Sequence, residues 1–177
     1  SPRVWNAWKA KLLEDLFRAT RRALTGETLG MDAALAEKQA EAARLLKLYA
    51  LSDGVKDRFW SNLDTTYFLR HDPQEIAWQT RNLHYRVETP TPVVKARLAR
   101  IGEGLQVMIY TPDREALFAR ICGYFERTGF NIVEAKIHTT RHGYALDTFV
   151  VMGKGPGAHY RDMMALIETE LTDELQS

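Results

Sequence analysis

Apolar positions recur every three or four residues through the first half of the chain and every second residue through much of the second half. The first pattern predicts helices, the second strands. Trp5, Trp8, Leu12, Leu16, Ala19 and Ala23 share one helical face at the start. Gly26 and Gly30 predict a break, followed by a second helix over 31–51 with Met31, Leu35, Ala42, Leu45 and Tyr49 as its stripe. A third helix is expected over 53–63 behind Ser52 as N-cap. The run Asp72-Pro73-Gln74-Glu75 opens a fourth: Asp72 caps, Pro73 suits the first helical position, and Glu75 is placed to close a capping box. Its buried face is Ile76, Ala77, Thr80 and Leu83. Phe59, Trp60, Tyr67, Phe68 and Trp78 are expected to hold these helices together.

The pattern changes at 88–92, where two prolines in three residues favour extended chain. Residues 93–100 alternate, Gly102-Glu103-Gly104 turns the chain, and 105–111 returns as the second arm of a hairpin. A helix follows behind Asp113, with Leu117, Ile121, Tyr124 and Phe125 buried and Gly129 at its end. Strands are expected over 131–140 and 144–152, joined by Arg141-His142-Gly143. Gly153, Gly155, Pro156 and Gly157 make a loop before a last helix beginning at Tyr160, with Met163, Met164, Ile167 and Leu171 inward.

The second half therefore reads β-β-α-β-β-α. Without its first strand it is a ferredoxin-like unit lacking the final edge strand, and the strand over 93–100 can fill that slot beside its hairpin partner. The predicted fold class is α+β: a helical region over 1–88, then a domain over 93–175 built as an antiparallel sheet with two helices on one face. The strands are apolar on both faces; in the last, Ala145, Phe149 and Val151 oppose Tyr144, Leu146 and Val150. Something must bury the second face: the N-terminal helices, a second copy of the domain, or a missing neighbour.

Composition narrows the function classes. Apolar content of 45% and charged content of 27% suit a soluble globular protein, and a formal net charge of +1 argues against nucleic acid as a partner. No apolar run approaches the roughly 20 residues that cross a bilayer, and no signal peptide is evident, so no membrane partner is expected and the cytoplasm is the expected location. The single cysteine, Cys122, excludes an internal disulfide and sits in an apolar helical pattern that favours inert packing. A chain that starts at Ser1 with two tryptophans close behind reads as a piece cut from a larger protein.

Chemistry-bearing motifs are sparse. No phosphate-binding glycine loop, nucleophile elbow or zinc-protease helix is present. His138 and His142 flank a β-turn and have no third ligand to complete a metal site. Asp147 is unusual inside a strand, and a structural hydrogen bond accounts for it more simply than catalysis does. The turn Thr111-Pro112-Asp113-Arg114 precedes a helix whose free N–H groups would suit a ligand carboxylate, although a plain N-cap reads the same way. Asn131 either holds a ligand's amide or amino group or tolerates a tight turn.

Tyr110 to Val151 carry D-x-x-x-L-F-A-R-I, then G-F-N-I-x-x-A-x-I-x-T-T-R-x-G, then A-L-D-T-F. This run closely resembles the first ACT domain of the bacterial PII uridylyltransferase/uridylyl-removing enzyme family. WNAWKAKLLEDLFRATRRAL and YFLRHDPQEIAWQTRNL resemble the region between that family's HD domain and its first ACT domain. The likeness spans nearly the whole chain and is least distinctive over 26–40 and 156–177. It implies a regulatory segment of a bifunctional enzyme of nitrogen regulation, a nucleotidyltransferase that adds UMP to the PII signal protein and a hydrolase that removes it. Both catalytic centres, and the Mg2+ they imply, would lie outside this stretch, which itself calls for no cofactor. The resemblance further implies that the ACT domain binds glutamine at Asp113, Arg114, Leu117, Asn131 and Ile132, that a second ACT domain or a homodimer mate completes the site, and that the helices form the mechanical link to the HD domain. The alternative is a protein-docking module that uses the free sheet face and takes no small ligand.

Overall fold

The computed structural model describes residues 2–155 and 159–177, with side chains described except at positions 2–5 and 28. Trp5 as a packing residue, and Pro156 and Gly157 as loop formers, fall outside the described residues.

Helix α1, Pro2–Leu48, runs unbroken for 47 residues through both Gly26 and Gly30. The expected break is absent because an interior glycine costs a helix only about 1 kcal/mol and neither residue leaves the helical conformation. The helix ends instead at Ala50, which takes a left-handed conformation (φ 61°) while Leu51 N donates back to Leu46 O at 3.2 Å. Up to residue 34 the described side chains of α1 are exposed; from Leu35 onward the helix packs, and Ala42 and Leu46 are buried. The expected third helix shrinks to one turn, α2 (Asp57–Trp60), with Lys56 rather than Ser52 before it. A further short helix, α3 (Thr65–Arg70), was not anticipated. Lys38 of α1 closes its C-terminus by donating to Leu69 O at 2.8 Å and His71 O at 3.0 Å. Helix α4 (Pro73–Leu83) starts as its sequence requires, with Asp72 Oδ1 accepting from Glu75 N at 2.8 Å. Glu75 does not complete a capping box; its side chain turns inward to Lys136.

Strands β1 (Val93–Leu98), β2 (Leu105–Pro112), β3 (Phe130–Lys136) and β4 (Tyr144–Gly153) form one antiparallel sheet in the order β1-β2-β4-β3. That is the ferredoxin-like arrangement with β1 in the place of the absent final strand, in register from Val93↔Tyr110 to Leu98↔Leu105. Gly104 makes the hairpin possible: its φ is 113°, and a Cβ there would meet Val151 O at 2.4 Å. Helices α5 (Leu117–Arg127) and α6 (Tyr160–Gln176) cover one face, where Val107, Ile109, Phe149, Ile121, Phe125, Ile167 and Leu171 share a core.

The other face is covered by the chain's own helical region. Val93, Met108, Tyr110 and Leu146 pack with Phe59, Leu63, Tyr67, Phe68, Ile76 and Leu83 in a second core. This overturns the docking alternative: the face it needed is already occupied. The aromatic residues named from the sequence do hold the helices together, with Trp60 against Phe68 and Tyr67 against Phe68 at ring separations of 5.2 and 5.3 Å.

Candidate functional site

Beside the start of α5 lies a cleft of about 300 Å³, lined by Asp113, Arg114, Ala116, Leu117, Phe118, Ile137, Thr139, Ala145 and Asp147. Local backbone chemistry builds its mouth. Asp113 does not cap α5, contrary to expectation. Its N–H donates to Gly143 O at 2.9 Å, which ties it to the β3–β4 turn, and the helix starts only after Ala116, a left-handed residue with φ 62°. No side chain caps α5, and among the described residues the amides of Phe118 and Ala119 have no acceptor. Two free donors and the positive end of the helix dipole therefore lie in the first turn of α5, whose Leu117 and Phe118 line the cleft. Arg114 is engaged elsewhere: its guanidinium donates to Leu175 O, and Arg120 donates to Glu174 O, so both arginines close the C-terminus of α6.

The floor is polar. Asp147 is 2% exposed, and its Oδ1 accepts from His138 N at 3.3 Å. Burial, reinforced by the Asp113 carboxylate, pushes its pKa up to about 6 against the opposing hydrogen bond from His138.

Three sequence-named residues, Asp113, Arg114 and Leu117, meet at this cleft. Asn131 and Ile132 do not. They pair with Met152 and Val151 at the far end of β4, whereas Asp113 bonds to Gly143 at its near end. Nine residues of strand separate the two groups, on the order of 25–30 Å. Asn131 is exposed and Ile132 half-buried on the outer strand.

The sheet's two edges differ. On β1, Ala96 N is taken by Glu168 Oε2 of α6 at 2.9 Å. On β3 the outer edge is unpaired among the described residues, with Val133 59% and Ile137 41% exposed beside Phe118 at 50%. An open edge of this kind is a template for strand addition.

A second polar cluster, not visible in the sequence, lies between α4 and the sheet. Tyr67 OH donates to Gln79 Oε1 at 2.7 Å, and Gln79 Nε2 to Thr148 Oγ1 at 2.9 Å. Buried Glu75 pairs with Lys136 Nζ at 3.1 Å, while its Oε1 faces His71 Nε2 at 3.9 Å with neither atom bonded. These partners are up to 69 residues apart in the chain, which is why no local pattern reveals them.

The histidines do not converge on a metal. His142 stacks on Tyr144 and lies 3.0 Å from Tyr110 OH, whereas His138 packs against Tyr67. Among the described residues no group of three or more His, Cys, Asp or Glu is placed to hold a metal ion. Cys122 is half-buried and burial raises its thiol pKa. A broader groove of about 650 Å³ runs along α1, but its walls come from that helix alone, which offers a ligand no enclosure. Among the described residues no helix is long and apolar enough to cross a membrane.

Comparison with known proteins decides the family. Residues 30–82 match the model of the fifth domain of uridylyltransferase GlnD. The bifunctional uridylyltransferase/uridylyl-removing enzyme of Ralstonia nicotianae is 55% identical over 98% of this chain and 21% of its own length. Those of Aromatoleum aromaticum and Cupriavidus pinatubonensis are 52% and 54% identical over 99% of the chain. The chain belongs to this enzyme family. It spans about a fifth of the length of these uridylyltransferase/uridylyl-removing enzymes. No solved structure matches it. The GlnD match begins at residue 30, close to where α1 passes from exposed to packed.

Proposed function

We propose that this chain is the regulatory segment of a bifunctional uridylyltransferase/uridylyl-removing enzyme, and that its ferredoxin-like part is an ACT domain that senses glutamine. The parent enzyme acts in the cytoplasm on the PII signal protein, and glutamine binding biases it between adding and removing UMP. The observation that carries this reading is the cleft at the start of α5, where an uncapped helix start borders a partly apolar pocket of metabolite size.

One copy holds only half of the expected site, because Asn131 and Ile132 lie at the other end of β3. A second ACT unit, either a neighbouring domain or another copy, resolves the separation. If its edge strand pairs antiparallel with β3, the start of one strand lies against the end of the other. The second unit's equivalent of Asn131 then comes beside the first unit's cleft. Ligand binding at such a seam changes how two sheets meet. A coupling of about 1–3 kcal/mol is sufficient to shift the balance of distant active sites.

The isolated chain should accordingly bind glutamine weakly or not at all. In the parent enzyme, Asn131→Ala should abolish the effect of glutamine on uridylylation and uridylyl removal while leaving both basal rates near wild type. A variant that responds to glutamine as wild type does would refute the reading.

A further inference from the structure

Asp147 is an awkward residue for its position. It sits inside β4 on the face that carries Ala145 and Phe149, and it is 2% exposed. Among the described residues it accepts from a single backbone amide, His138 N, at 3.3 Å, a long bond for a carboxylate. Among the described residues no Lys, Arg or His side chain forms an ion pair with it. A carboxylate removed from water and left so lightly compensated is costly unless something else supplies positive charge. The charge that acts on it makes this worse, since Asp113 is an anion lining the same cleft.

Two carboxylates line this small cavity, and the one cationic residue beside them, Arg114, spends its guanidinium on Leu175 O, which leaves a place for a ligand cation. The rest of the cleft defines that ligand further. The free amides of Phe118 and Ala119 suit an anionic group, and Leu117, Phe118, Ile137 and Ala145 supply apolar walls. Donors for an anion at the rim, acceptors for a cation on the floor and an apolar flank together match a zwitterion.

We infer that Asp147 is a specificity-determining residue of this cleft: with Asp113 it receives the ammonium group of an α-amino acid whose carboxylate meets the start of α5. This rests on the sensing role proposed above and adds the residue that separates amino acids from acids of the same shape. Asp147 thus has two duties. Oδ1 holds the β3–β4 connection through His138 N, and the carboxylate charge reads the ligand.

The test compares L-glutamine with 4-carbamoylbutanoate, the same molecule without its ammonium, by calorimetric titration of the parent enzyme. Asp147→Asn keeps an oxygen for His138 N and removes the charge. Wild type should prefer glutamine at least tenfold, and Asp147→Asn should bring the two ligands within about threefold by losing affinity for glutamine alone. The wild-type protein supplies a second measurement that does not depend on how the variant folds. Between pH 7.5 and 5.5, protonation of Asp147 should weaken glutamine binding about fourfold while the ammonium-free ligand holds or improves. If wild type binds glutamine and Asp147→Asn, or wild type at pH 5.5, keeps the full preference, the role of Asp147 is wrong and the sensing proposal stands. If wild type binds neither ligand, the sensing proposal fails and this inference fails with it.

Discussion

Acidifying the protein from pH 7.5 to pH 5 should cost about 2 kcal/mol of folding stability through His71 alone. His71 is fully buried, and its Nδ1 lies 2.7 Å from Tyr67 O, so that nitrogen carries the proton of the neutral ring. Nε2 is left bare, facing Glu75 Oε1 across 3.9 Å. Burial is the main cause that lowers its pKa from 6.5 to about 4; the Tyr67 carbonyl opposes it, and the charges of Lys136, Arg70 and His138 act with it. Glu75 is the anion best placed to resist this shift, but its other oxygen already serves Lys136 at 3.1 Å. A histidine whose folded pKa is depressed favours the neutral ring. Its contribution is therefore complete above the unfolded value of 6.5 and is lost as the pH falls toward 4. At pH 5 the two pKa values give a loss of about 2 kcal/mol. Asp147 and Glu75 are shifted upward and gain on acidification, while His138 is shifted downward like His71. The wild-type slope mixes these with His84, which burial also shifts downward, so the informative quantity is a difference. His71→Asn keeps a donor for the Tyr67 carbonyl and does not titrate. Urea unfolding at pH 7.5 and 5.0 should show the variant losing about 2 kcal/mol less than wild type. Equal losses within ~0.5 kcal/mol, or a His71 resonance titrating near its ordinary value, would refute the reasoning.

Lys136→Met leaves the Glu75 carboxylate, 3% exposed at its side chain, without its cation, and should destabilise the fold by about 3–5 kcal/mol in chemical denaturation; adding Glu75→Gln should recover most of that loss. Gly129→Ala forces a side chain into φ 84° with open space around it and should cost about 1–2 kcal/mol. Gly104→Ala adds a clash with Val151 O to the same kind of strain and should lower the melting temperature clearly further.

The sheet was readable in the sequence because alternation and turn glycines are local signals. Both hairpins, and the substitution of β1 for the absent edge strand, followed from two-residue periodicity and short connections. Helix ends were harder. Gly26 and Gly30 look like punctuation, yet the helix ignores them and stops at Ala50, which has no glycine to announce a left-handed residue. Asp113 looks like a cap, but its amide is claimed by Gly143, a contact 30 residues away in sequence. The site was legible in the same proportion. Asp113, Arg114 and Leu117 surround one cleft because they are neighbours in the chain. The importance of Asp147 depends on what surrounds it in space. Sequence showed only that an acid in a strand is unusual; the structure shows that it is buried with one long hydrogen bond.

The most consequential feature of the fold is that β4, like β2 beside it, serves both of its cores. Along β4, Ala145, Asp147 and Phe149 face α5 and the cleft, whereas Leu146 and Thr148 face the helical region. Side chains on a strand cannot move independently of their neighbours, because they alternate on one backbone. A shift that draws Asp147 toward a bound cation must therefore move Thr148 relative to Gln79, whose amide it accepts from, and through Gln79 the hydroxyl of Tyr67. Tyr67 lies on α3, whose C-terminal carbonyl groups are held by Lys38 of α1. A ligand at the start of α5 thus has a physical route to the long helix through three hydrogen bonds in a packed interior, without any movement of the sheet as a whole. On the helical side of the strand that route is dry, because Tyr67, Gln79 and Thr148 are each 3% exposed or less, so no water stands between them to absorb a displacement of Thr148.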